Sequence, residues 1–126
     1  MNGQIIAAEQ IRFNENTRSF SIENIYNGIT VQVLPSVAVI ELLIKTLRIE
    51  NNDTVQIQII DQDGDICFFT APIPVHNQRL SAMISGIDFQ LHCRFVVKME
   101  GTYTIQLYAG DSLVNEYPIF IQCHSV

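Results

Sequence analysis

The 126-residue chain contains no tryptophan, and only 16% of it is charged, against roughly 25% in an ordinary soluble domain. Cations are the scarcer sign, with seven Lys and Arg against 13 Asp and Glu, a net charge of −6. They are scattered from Arg12 to Lys98. A nucleic-acid-binding domain needs its cations gathered into a basic stripe, so no nucleic-acid partner is expected. No apolar run approaches the ~20 residues of a membrane-crossing helix. The N-terminus has no Lys or Arg before Arg12, and its apolar run from Ile5 to Ala8 stops at Glu9. That is not the plan of a secretory signal, and a cytoplasmic protein without membrane contact is expected. Cysteine is sparse and odd in number: Cys67, Cys93 and Cys123. An odd set is not a disulfide framework, which leaves three reduced and mostly buried thiols. A Gly-x-Ser-x-Gly elbow, a phosphate-binding loop and an HExxH helix are all missing.

What the chain has in quantity is apolar residues, 48% of the total. In one domain of this length that builds a core without disulfides or a structural metal. The apolar residues alternate at the period of strands. Residues 4–13 read as a first strand with Ile5, Ala7, Ile11 and Phe13 on one face, Glu9 being the exception. Phe20 and Ile22 alternate with Ser19, Ser21 and Glu23, and Asn27-Gly28 then has the composition of a tight hairpin turn or a bulge. Residues 37–48 fit either a long strand or a short helix. The strand is preferred because every neighbour reads as a strand. In Thr54 to Ile60, Val55, Ile57 and Ile59 face one way and Thr54, Gln56 and Gln58 the other, the mark of a strand with one wet face. Pro72 and Pro74 interrupt pairing, and residues 81–98 return to strand with a break or bulge at Gly86.

The last quarter is the most specific. Gly101-Thr102-Tyr103 opens a strand, Ala109-Gly110-Asp111 turns it, and Tyr117 to Ile121 closes it. Tyr103, Ile105 and Leu107 form one apolar set; Leu113, Tyr117, Ile119 and Ile121 form the facing one. Register follows the buried face. A three-residue loop from Ala109 to Asp111 pairs Leu107 with Leu113 and Tyr103 with Tyr117, with Gly110 or Asp111 at left-handed φ. The total is eight or nine strands and no required helix, an all-β antiparallel sandwich.

Gly101-x-Tyr103 resembles the tyrosine corner of immunoglobulin-like sandwiches, in which the phenol bonds back to upstream backbone. Ile105 stands where an antibody domain has cysteine, and Met99 where it usually has aspartate. With no tryptophan either, the chain is not an antibody-type domain proper. It is more similar to a family of small bacterial proteins of unassigned function. The shared marks, in order, are Ser21-Ile22-Glu23-Asn24-Ile25, Pro35, Asp61-Gln62-Asp63-Gly64, Gly101-Thr102-Tyr103 and Tyr117-Pro118-Ile119. Residues 76–95 match little. The resemblance implies an immunoglobulin-like sandwich and no reaction.

Three groups of residues carry candidate chemistry. Asp61, Asp63 and Asp65 match the opening of an EF-hand loop, but Ile66 stands where that loop needs glycine and Pro72 where it needs the bidentate Glu. A hairpin turn explains the same residues, so no metal or cofactor is assigned. His92-Cys93 and Cys123-His124 have zinc-ligand chemistry, yet neighbours on a strand point to opposite faces. The expected arrangement is two core cysteines with their histidines near the surface. A pocket near Cys67, His76 and His92 is the remaining route to a ligand site or an enzyme. Residues 37–44 and 118–121 are apolar on both faces, whereas a two-layer sandwich buries one face of each sheet. Either the 72–92 connection or a second subunit must cover the other face, which raises the expectation of a homodimer. A non-catalytic protein-interaction or structural module is therefore expected. The alternatives are a ligand-binding protein or enzyme at Cys67, His76 and His92, and a phage or virion structural protein.

Overall fold

A computed structural model describes residues 1–124. Ten strands run in chain order: β1 (Asn2–Asn14), β2 (Ser19–Ile25), β3 (Gly28–Val31), β4 (Ser36–Leu47), β5 (Thr54–Ile60), β6 (Ile66–Phe69), β7 (Ile73–Pro74), β8 (Gly86–Val97), β9 (Gly101–Ala109) and β10 (Ser112–Cys123). The count exceeds the expected eight or nine because β3, β6 and β7 are only two to four residues long. Residues 37–47 are strand, as the β-branched start of that segment implies, and Arg48, at φ 59°, lies just past its end. No helix of the structure is long and apolar enough to cross a membrane.

Two sheets face one another. One has the order β2-β1-β4-β8; the other has the order β3-β10-β9-β5-β6, with β7 also paired to β5. Strands β1, β4 and β8 take the A, B and E places of the immunoglobulin sandwich, and β5, β9 and β10 take C, F and G. The fold is thus an immunoglobulin-like antiparallel sandwich, with one parallel pair between β3 and β10. Period-two alternation sends Ala38, Ile40, Leu42 and Ile44 of β4 inward to meet Val55, Ile57 and Ile59 of β5 and Tyr103, Ile105 and Leu107 of β9. Asn27-Gly28 is not a hairpin turn. It is where the chain leaves the first sheet and enters the second, with Phe120 and Gly28 directly opposite.

The tyrosine corner is present. Tyr103 is 2% exposed, packs its ring 5.9 Å from that of Phe95, and donates its hydroxyl hydrogen bond to Met99 O at 2.7 Å. Gly101 sits at φ 147°, a conformation that L side chains rarely adopt, so the backbone favours the glycine of the motif. Tyr103→Phe keeps the ring and removes one hydrogen bond, and should cost about 1 kcal/mol in urea denaturation. Unchanged stability would reduce Tyr103 to an ordinary core aromatic.

The closing hairpin differs from the expected register. Ala109 pairs with Ser112 across a two-residue turn, Tyr108 pairs with Leu113, and a bulge between Leu113 and Asn115 then shifts β10 by one residue. Tyr103 lies opposite Ile119, and Ile105 opposite Tyr117. Tyr117, Ile119 and Ile121 still share the face of Tyr103, Ile105 and Leu107, but a bulge rather than an odd loop brings them there. Gly110 has φ 59°, the left-handed conformation that the turn needs. Leu113 stays exposed, and Val114 packs toward the core instead.

Candidate functional site

The outer face of the β4 sheet is where the structure departs most from a plain sandwich. Beyond Ala8, β1 no longer pairs with β4. Its distal half, with β2, crosses over the outside of the sheet. Asn24, at φ 54° opposite the unpaired Glu9, marks the bend. Gln90 on β8 donates to Ile11 O at 3.1 Å, although β1 and β8 are not sheet neighbours. A second apolar cluster results: Ala8, Ile11 and Leu43 buried, with Ile6, Phe20 and Ile22 against them. The cover over this face is therefore the β1–β2 hairpin, not the 72–92 connection.

The cover is partial. β1 pairs with β4 only over Glu41–Leu47, while β8 pairs with all of Ser36–Leu47. Residues 36–40 thus have a strand on one side alone. On the outer face of this half, Val37 and Val96 stand directly opposite and Val39 is opposite Arg94. All three valines are nearly half exposed. His92 Nδ1 and Glu41 Oε1, 2.6 Å apart, close the row next to the hairpin. Phe120, on the outer face of the other sheet, is also left half exposed.

The residues singled out for a pocket do not converge. Cys67 lies on β6, its thiol donating to Ile59 O at 3.2 Å. Burial, with Asp61 nearby, pushes the thiol up to about 11. His92 is on the outer face of the opposite sheet. His76 follows β7, which pairs with the Thr54 end of β5, while β6 pairs with the Ile60 end. That separates it from Cys67 by about five residues of strand, roughly 17 Å. No Cys–His dyad forms among them. Cys93 is fully buried, and burial followed by the Glu41 charge raises its thiol to about 12, so neither thiol is an available nucleophile at neutral pH. Cys123 is half-buried against the core and His124 is exposed. His92 and Cys93 point to opposite faces as strand geometry requires, and His124 lies just past the end of β10. All three cysteines are free.

Asp61, Asp63 and Asp65 do come together, with one carboxylate oxygen of each lying within 4.8 Å of the others. The turn accounts for the arrangement. Asp61 Oδ1 accepts the backbone N–H of Asp63 and of Asp65, both at 2.9 Å, and Gly64 supplies positive φ. Calcium wants six to eight oxygens; here one of the best-placed oxygens is already committed, and Asp63 and Asp65 are exposed. Adding calcium chloride should leave the melting temperature unchanged. A calcium-dependent rise that Asp63→Asn abolishes would make the turn a cation site.

No family model matches the chain, and no curated protein matches it. Among solved structures, the chain is similar to a CARDB domain from Pyrococcus furiosus, determined in complex with di-metal ions. The identity is 7%, the match covers 98% of this chain and 96% of that one, and the TM-score is 0.42.

Proposed function

We propose that the protein is a non-catalytic interaction module of the small bacterial, cytoplasmic kind its turns resemble, and that it associates through the half-open edge of β4, with a second copy as partner. The carrying observation is the five-residue stretch Ser36–Ile40, which has β8 on one side and no strand on the other. Unpaired strand edges recruit other strands unless charge or proline blunts them. This edge has neither within it, and Val37 and Val39 stand on its outer face. A two-fold axis beside Ala38 would run two such stretches antiparallel over about 17 Å and bring both valine pairs onto one surface. Such a contact is self-complementary, as a closed dimer requires.

Light scattering coupled to size exclusion tests this. The parent protein should run as a dimer at micromolar concentration. Val39→Lys, a surface change expected to move stability by no more than about 0.5 kcal/mol, should give a monomer with the parent's melting temperature. A monomeric parent, or a Val39→Lys variant still dimeric, would remove the reading.

A further inference from the structure

At the opposite end of the same face, the tip of the β1–β2 hairpin overhangs the loop that leads into β8. Between them lies a groove of about 690 Å³, within the roughly 300–1,000 Å³ of small-molecule sites. One wall is the cross-strand pair Phe13 and Phe20, with ring centroids 5.0 Å apart. The other is Leu80 and Met83.

These apolar groups are exposed on elements that hold their shape. Asn77 Oδ1 accepts the N–H of Arg79 and of Gly86, both at 3.0 Å, and Gln78 N donates to Gly86 O at 2.9 Å. Ser85 Oγ donates to Ile49 O at 2.8 Å. The loop nevertheless presents Leu80 at 75% exposure and Met83 at 51%. A tied-down loop that keeps two large apolar side chains in water has an apolar surface ready for a ligand at little ordering cost.

The groove's charge is the reverse of the molecule's. Arg18 and Arg79 line it. Arg79 Nη2 and Lys45 Nζ share one carboxylate, Asp88, at 2.7 and 2.9 Å, and Arg18 has no ion pair among the described residues. Of the charged groups that line the groove, two cations stand against one carboxylate, an excess of one positive charge in a chain of net −6. Glu15, in the same hairpin turn, does not line the groove. Neutral hydrogen-bonding side chains are scarce there, Gln78 being the single amide. A peptide would bury backbone groups without partners, which is costly; a hydrocarbon chain with one anionic end would not.

We propose that this groove binds a single-chain amphipathic anion of the fatty-acid class, its carboxylate at Arg18 and Arg79 and its chain between the Phe13–Phe20 pair and Leu80–Met83. Isothermal titration of the full chain with monomeric dodecanoate should show saturable binding at one site. Arg18 is exposed, so Arg18→Glu leaves the fold intact and should weaken binding by at least about tenfold. Leu80→Ser should weaken it independently. Dodecyltrimethylammonium, with the same chain and the opposite charge, should not bind. Absence of saturable binding, equal binding of the cation, or an unchanged affinity in Arg18→Glu would overturn the proposal. So would binding to phosphatidylserine vesicles without binding of monomeric dodecanoate, which would make the patch a membrane contact. The valine edge lies elsewhere on the sheet, so Val39→Lys should leave dodecanoate affinity unchanged.

Discussion

Leu43→Ala should destabilise the protein by about 2–5 kcal/mol, the range for a leucine lost from a packed core. Leu43 points away from the main core, since its neighbours Leu42 and Ile44 point into it. In a two-layer sandwich it would be a surface residue, and its truncation would cost no more than about 0.5 kcal/mol. Here it is 3% exposed because Ile11, Phe20 and Ile22 of the hairpin lie over it. Urea denaturation separates the two cases by the midpoint. A double-mutant cycle with Phe20→Ala should give a coupling of about 0.5–3 kcal/mol. A loss below about 1 kcal/mol, with no coupling, would mean that the hairpin does not cover the sheet.

Gly86→Ala should cost about 1–3 kcal/mol, the range for overpacking a filled site. Gly86 opens β8 opposite Leu47. A Cβ at this position would overlap the carbonyl oxygen of Thr46 and come within 2.9 Å of Arg79 Nε. The first obstacle is backbone of the paired strand and cannot swing aside. The stiffer unfolded chain returns at most about 1 kcal/mol, so the net sign is destabilising. Arg79 must also move, and with it the ion pair to Asp88. Calorimetry should therefore show a lower melting temperature, and dodecanoate affinity should fall in the same variant. Parent-like stability would mean that β4 and β8 separate at this end more easily than the packing implies.

Several elements were legible in the chain because their signals are local. The alternation of Val55, Ile57 and Ile59 with Gln56 and Gln58 sets both faces of β5, and all three apolar residues are fully buried. Gly101-x-Tyr103 announced a corner whose hydrogen bond to Met99 is made. The Asp61–Asp65 turn read the same way in both. The hairpin register was not legible, because a one-residue shift can come from the loop or from a bulge. The sequence requires only that the two apolar sets share a face; Asn115, at the bulge, makes a contact from across the fold, its side chain donating to Gly3 O at 2.8 Å. The candidate pocket at Cys67, His76 and His92 failed for a related reason: nothing local says on which sheet or at which end a strand will lie.

By itself, then, the sequence determined most of the strands, the inward faces of β5 and β9, the corner and the sandwich class, because periodicity and turn chemistry act over a few residues. It also showed that β4 is apolar on both sides and that something must lie on its outer face. Only the tertiary structure decided what that is. Ile11, Phe20 and Ile22 have the spacing of any half-buried hairpin, and a bend at Glu9 and Asn24 turns them over the sheet. The same bend ends the pairing of β1 with β4 at Glu41, exposes the valine edge on one side and closes the cationic groove on the other. Which surfaces a sheet leaves free depends on contacts between residues distant in the chain, and a pattern of period two does not record them.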